Sequence, residues 1–214
     1  MIRLLLADDH QLVREGIKQI LSSVADLEIA AEAADGDEAL FLVKERNFDL
    51  ALLDMSMPGL SGISLIKRLK LEKPELRILV LSMHAENQYA ARALKAGASG
   101  YLTKDAASAQ LVGAIRKIAA GGIYITEGAA QGLLAASGSE HAMPHTRLSD
   151  REFEIFRLLA EGLGPTHIAE RLHLSVKTVS THKTRILEKM NLTGGAEIVR
   201  YALEHALLPQ KPEG

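Results

Sequence analysis

The chain has 214 residues, 47% of them hydrophobic and 24% charged, with a formal net charge of −2 and no cysteine. That length suits two small domains and the composition allows an ordinary globular core; the missing cysteine excludes a disulfide framework and thiol chemistry. The start, MIRLLLADDH, lacks a signal peptide's apolar stretch, and no apolar run approaches the ~18 residues that cross a membrane, so a soluble cytoplasmic protein with no membrane partner is expected.

Five brief apolar runs occupy the first half: Ile2–Ala7, Glu28–Ala33, Leu50–Asp54, Ile78–Ser82 and Gly100–Thr103. Most are nearly continuous rather than alternating, as in strands buried on both faces of a parallel sheet. Helix-like segments lie between and after them, at roughly 11–23, 37–46, 62–72, 86–96 and 106–119. This alternation predicts an α/β fold, a doubly wound five-stranded parallel sheet with right-handed crossovers placing helices on both faces.

Gly121-Gly122 ends the fifth helix, and Glu127–Ala136 reads as a short helix. The small, polar stretch SGSEHAMPHT, Ser137–Thr146, reads as an interdomain linker. From Leu148 onward the pattern is helical. Ser149 with Glu152 three residues later forms a capping-box signature for a helix to Glu161. Pro165 suits the first turn of a second helix, to about Leu172. Ser175 is the N-cap of a third, about Val176–Met190, and a fourth covers about Ala196–Leu207. Four helices make an all-α second domain.

Ligands of open α/β sheets bind at the carboxyl ends of the strands. Asp8 and Asp9 follow strand one, Asp54 ends strand three, Ser82 ends strand four and Lys104 follows strand five. A single carboxylate there is usually a helix cap or a solvated loop charge; three carboxylates, a hydroxyl and a lysine at one edge are hard to obtain by accident. Clustered carboxylates repel one another, and Mg²⁺, a hard cation that takes oxygen ligands and retains waters, relieves the repulsion. Asp54 can attack phosphorus as a carboxylate nucleophile. Lys104 can pair with phosphoryl charge and Ser82 can hydrogen-bond to a phosphoryl oxygen. Two rival pockets fail: a dinucleotide fold needs a glycine-rich turn after strand one, and a haloacid-dehalogenase-like phosphatase places a second aspartate where Ser56 stands.

Asp8-Asp9, Asp54 followed by Met57-Pro58-Gly59 and Gly62, Ser82, Tyr101 and Lys104 together resemble the receiver domain of bacterial two-component systems, over roughly residues 1–120. The resemblance implies a flavodoxin-like fold in which Asp54 accepts phosphate from a histidine kinase. It implies direct Mg²⁺ ligation by Asp9 and Asp54, Asp8 acting through water and the Ser56 carbonyl as a further ligand, with Ser82 and Tyr101 as the switch pair. Asp105 follows Lys104 where many receivers carry proline, and Met83 is bulky where many carry a small residue. His84 is expected at the pocket rim rather than on metal.

From Arg171 to Lys189 there are five basic residues and one acidic residue, Glu188. Projected on a helix, Val176, Val179, Ile186, Leu187 and Met190 gather on one side and should pack inward. Lys177, Ser180, Thr181, Thr184, Arg185 and Glu188 gather on the other, flanked by Thr178, His182 and Lys189. Cations neutralise phosphates and short hydroxyls reach phosphates and base edges. On spacing alone, an ordinary amphipathic surface helix explains this slightly better. However, LSDREFEIFRLLAEG and HIAERLHLSVKTVSTHKTRILEKMNL, within about residues 146–208, closely resemble the LuxR-type helix-turn-helix of NarL/FixJ regulators. The resemblance makes Val176–Met190 the recognition helix and Pro165–Leu172 the scaffold helix. Ser180, Thr181 and Thr184 are then base-edge candidates, and Lys177, Thr178, His182, Lys183 and Arg185 phosphate candidates, with Lys189 also at the DNA. Ser180 stands where many relatives carry lysine, so the operator cannot be copied from relatives, and Gly164-Pro165-Thr166-His167 replaces the usual Asn-Lys/Arg-Glu run, so the scaffold helix is expected to make fewer phosphate contacts.

The expected division is 1–121 receiver, 122–146 short helix and linker, and 147–208 DNA-binding domain. The whole reads as a transcription regulator rather than an enzyme, with a histidine kinase, double-stranded DNA and RNA polymerase as partners and a homodimer on phosphorylation. Two alternatives stand beside it: a phosphotransfer or phosphatase enzyme whose helical domain binds only protein, and a DNA binder with a vestigial receiver. The last helix, with Ile198, Val199, Ala202, Leu203 and Ala206 on one side, either supplies a dimer contact or packs on its own core.

Overall fold

The structure, a computed structural model, describes residues 1–60, 62–82, 87–125, 143–205 and 207–208. The chain divides into two units, Met1–Gln131 and Gly132–Gly214. In the first, strands and helices alternate: β1 (Ile2–Ala7), α1 (Gln11–Ser22), β2 (Leu27–Ala33), α2 (Gly36–Glu45), β3 (Leu50–Asp54), α3 (Gly62–Glu72), β4 (Arg77–Ser82), α4 (Asn87–Lys95), β5 (Gly100–Thr103) and α5 (Lys104–Ala119). The strands form one all-parallel sheet in the order β2-β1-β3-β4-β5. The apolar runs are continuous because both faces are covered. Leu4, Leu6, Leu50, Leu52, Leu79, Leu81 and Leu102 pack with Ile17 and Leu21 of α1 and Leu111, Ile115 and Ile118 of α5. Leu5, Ala51, Leu53, Ile78 and Val80 point the opposite way and are fully buried as well.

The strand order reverses between β1 and β3, which opens a crevice beyond their carboxyl ends. Register fixes what lies there. Ala7 pairs with Leu53, so Asp8 and Asp54 leave the sheet side by side. Ser82 pairs with Thr103, which sets Ser82 next to the start of α5. α5 begins at Lys104, two residues earlier than the sequence pattern predicts. Thr103 is already in N-cap conformation, and Asp105 puts a negative charge in the first turn, favourable to the helix dipole. The peptide between Lys104 and Asp105 is trans.

Beyond α5 the chain returns to the sheet. Tyr124 N–H donates to Ser99 O (3.0 Å) and Tyr124 O accepts from Tyr101 N–H (2.9 Å), which extends the sheet past β5. Gly100 permits this approach: a Cβ there would lie 2.8 Å from Tyr124 O. The helix expected over Glu127–Ala136, and most of the expected linker, lie outside the described residues. Pro144–Arg147, expected at or beside the linker's end, is instead a turn of 3-10 helix with His145 buried. His145 Nδ1 lies 2.7 Å from the Tyr201 hydroxyl, so this turn belongs to the core of the second unit.

The second unit continues with α6 (Asp150–Ala160), α7 (Pro165–Arg171), α8 (Val176–Met190) and α9 (Gly195–Glu204). Phe153, Phe156, Ile168, Val179, Ile186, Met190, Ile198 and Ala202 form its core. Ser149 accepts from Glu152 N–H while Glu152 accepts from Ser149 N–H, the reciprocal cap the sequence announced. Ser175 caps α8 by accepting from Thr178 N–H (3.0 Å). His173, at φ 51°, makes the tight turn between α7 and α8, and Asn191 ends α8 in the same left-handed region. No described helix is long and apolar enough to cross a membrane.

Candidate phosphoryl and nucleic-acid sites

The first site grows from the ends of β1, β3 and β5. Asp8 and Asp54 are almost fully buried. Lys104 Nζ lies 2.7 Å from Asp8 Oδ2 and 3.2 Å from Asp54 Oδ2. These are ion pairs, and among the described residues no other donor hydrogen-bonds to either of these two carboxylate oxygens. Asp8 is oriented from its other side, where Oδ1 accepts from His10 N–H (2.9 Å). Asp9 is exposed, and its Oδ1 lies 2.8 Å from His10 Nδ1. Carboxylate oxygens of Asp8, Asp9 and Asp54 and a ring nitrogen of His10 all lie within 4.8 Å of one another.

Burial pushes the Asp54 carboxyl above the usual carboxylate range; Lys104 opposes the shift and Asp8 reinforces it. One ammonium shared by two buried carboxylates leaves negative charge uncompensated. Two buried carboxylates that share one ammonium, in a hard, oxygen-rich donor set, therefore fit a divalent cation. Ser82 and Tyr101 are buried, 3% and 2% exposed. Ser56 lies in the turn just after β3. His84 and Met83 lie outside the described residues. His10 joins this cluster without being among the expected site residues; its signal is its place directly after two acids.

The second site is the outer face of α8. Lys177, Ser180, Thr181, Thr184, Arg185, Glu188 and Lys189 are exposed, whereas Thr178, His182 and Lys183 are half-buried. Two hydroxyls bond along the helix, Thr181 to Lys177 O (2.9 Å) and Thr184 to Ser180 O (3.2 Å). Val179, Ile186 and Met190 are buried as expected, but Val176 is 45% exposed. It is the first residue after the cap, where the apolar stripe outruns the helices that cover it. Burial lowers the pKa of His182, opposed by Glu152 and aided by nearby cations, and its Nδ1 is buried with no hydrogen-bond partner among the described residues. Lys189 Nζ lies 2.6 Å from Glu152 Oε2, so this cation is committed within the unit. α9 divides its apolar residues: Ile198 and Ala202 are buried, Val199 is half-buried and Leu203 is 65% exposed. Ala206 lies outside the described residues.

Residues 4–116 match the model of the response regulator receiver domain, and residues 146–202 match that of bacterial regulatory proteins of the luxR family. The chain is 36% identical over 209 residues to the response regulator UvrY of Escherichia coli K12, covering 97% of this chain and 96% of that protein. Among solved structures, the RcsB response regulator of Salmonella typhimurium aligns with a TM-score of 0.75 at 28% identity, covering 95% and 97% of the two chains. RcsB of Salmonella enterica serovar Typhimurium, bound to promoter rprA in the presence of phosphomimetic BeF3⁻, aligns with a TM-score of 0.69 at 27% identity, covering 94% and 97%.

Proposed function

The chain belongs to the response regulators that join a receiver domain to a LuxR-family DNA-binding domain and regulate transcription, and on that premise we propose that Asp54 is its phosphoryl acceptor. The observation that carries the reading is the buried Asp54 carboxylate at the switch point of the sheet, beside Asp8 and Lys104. The Asp54 carboxylate attacks phosphorus of a histidine kinase's phosphohistidine. The new O–P bond forms as the P–N bond breaks, and the imidazole leaves. Positioning and charge neutralisation supply most of the catalysis in such transfers. Mg²⁺, when bound, neutralises the acids and the developing phosphoryl charge. Asp9, Asp54 and the Ser56 carbonyl would hold it directly and Asp8 through water. Lys104 then has a phosphoryl oxygen to pair with, and the Ser82 hydroxyl another to bond, with Tyr101 as its switch partner.

The added charge biases the receiver between two forms and so alters how α8 meets double-stranded DNA. Lys177, Thr178, His182, Lys183 and Arg185 are proposed phosphate contacts and Ser180, Thr181 and Thr184 base-edge contacts; Lys189 has the weakest case because Glu152 holds it. Two-fold dimers suit paired half-sites, and the exposed Leu203 on α9 offers one contact. The proposed receiver spans 1–121 and the proposed DNA-binding domain 147–208, in a cytoplasmic protein whose downstream partner is RNA polymerase.

The test is intact-mass measurement after incubation with acetyl phosphate and Mg²⁺. One phosphoryl increment on the wild type, and none on Asp54→Asn, is expected. An unmodified wild type, or a modified Asp54→Asn chain, would remove the proposal.

A further inference from the structure

Asp9 has little to hold it. It is exposed, and its carboxylate sits against His10, itself 64% exposed. Its direction therefore depends on its backbone. The peptide joining Asp8 to Asp9 is planar, so the Asp8 carbonyl and the Asp9 nitrogen turn together. That carbonyl accepts from Arg14 Nη1 at 2.6 Å. Arg14, the fourth residue of α1, reaches back over the loop between β1 and α1, with its side chain only 16% exposed. Its guanidinium is itself fixed, since Nε donates to Glu32 Oε2 on β2 (3.2 Å). Glu32 is shared with Lys18 Nζ (2.9 Å). Asp8 N–H donates to Ala33 O (3.1 Å), so the same residue is tied at both ends of its backbone to β2 or to a group anchored there.

We propose that Arg14 is a positioning residue that aims the Asp8-Asp9 pair at the cation site, with Glu32 fixing Arg14 in turn. The planar fork of arginine reaches a carbonyl and a carboxylate together, which a lysine cannot reproduce. Groups that orient metal ligands, without touching the metal, contribute about 10- to 100-fold to affinity. The inference rests on the reading of Asp8, Asp9 and Asp54 as a divalent-cation site.

The experiment is titration of the full chain with Mn²⁺ as probe, following free Mn²⁺ by electron paramagnetic resonance, with Mg²⁺ competition. Arg14→Gln is expected to weaken binding about 10-fold, and Glu32→Gln less, in the same direction. Arg14→Lys should recover only part of the loss. Phosphorylation of Arg14→Gln by acetyl phosphate should regain the wild-type rate at saturating Mg²⁺, a split that simple loss of stability does not produce. Circular dichroism melting establishes that each variant is folded at the titration temperature. If Arg14→Gln proves unfolded there, Glu32→Gln carries the test, since it removes a fixing group without removing the arginine. Wild-type affinity in a folded Arg14→Gln, or in a folded Glu32→Gln when that variant carries the test, overturns the inference. A wild type that binds no Mn²⁺ or Mg²⁺ overturns instead the cation-site reading beneath it.

Discussion

Lys104 Nζ stands closer to Asp8 Oδ2, at 2.7 Å, than to the proposed phosphoryl acceptor Asp54, at 3.2 Å. The ammonium thus bridges two acids that would otherwise repel each other, with Asp8 the nearer of the two.

Removing this cation leaves two buried carboxylates facing each other. Lys104→Met is expected to lose about 3 kcal/mol of stability in the presence of a chelator. Millimolar Mg²⁺ should restore most of that loss, because it supplies the missing positive charge. Urea denaturation with and without Mg²⁺ measures both quantities; a variant as stable as wild type in chelator contradicts the shared-ammonium account.

Asp54 gives a pH dependence of opposite sense to a surface carboxylate. Burial, against the pull of Lys104, raises its pKa in the folded state. The stability this represents is fully present below the ordinary carboxylate pKa and is lost as pH rises through the raised folded value. Asp54→Asn, permanently neutral, should therefore melt higher than wild type at about pH 7.5 without metal, by a few degrees, and show no such gain at about pH 4. Thermal melts across this range would expose a wrong sign directly.

Glu152 behaves the other way. Burial opposes ionisation, but hydrogen bonds from Lys189 and Ser149 prevail and hold its pKa below the usual value. Its contribution is present above the unfolded carboxylate pKa and fades as pH falls through the lower folded one. Ser149→Ala is expected to cost about 1 kcal/mol, and Glu152→Gln to flatten the acid side of the stability curve. Denaturation of both variants at several pH values checks this.

At the DNA, exposed cations and committed ones should separate. Lys177→Ala with Arg185→Ala is expected to weaken duplex binding and to reduce the log–log salt slope by about 1.8, near 0.9 for each phosphate that is no longer neutralised. Lys189→Ala should lower stability, since Lys189 pairs with Glu152, and leave the slope nearly unchanged. Fluorescence anisotropy over a salt series reads the slopes; a Lys189 variant that matches the double variant would reassign that lysine.

Legibility in the sequence followed the range of the physics. Three of the five strands, Ile2–Ala7, Leu50–Asp54 and Gly100–Thr103, were readable to the residue because continuous apolar runs end sharply at polar or glycine positions. The acids at Asp8, Asp9 and Asp54 could be grouped because parallel topology sends strand ends to one edge. What escaped was long-range and short-sided. Arg14 looks like any helical arginine until α1 folds back over the Asp8 carbonyl. Tyr124 seals β5 through backbone atoms, which carry no sequence signature. The half-turn of α5 before Ala106 was missed because Lys104 and Asp105 are charged and no apolar period begins until later. Lys189 reads as a free cation until α6 brings Glu152 against it.

The coupling between the two sites is measured most directly by duplex affinity with and without beryllofluoride and Mg²⁺, on DNA recovered by genome-wide mapping of bound sites. Wild type should tighten by about 10-fold or more, and Asp54→Asn should not respond. Equal affinity of the wild type in both conditions, with Asp54 demonstrably loaded, would contradict the claim that charge gained at Asp54 governs what α8 does to DNA.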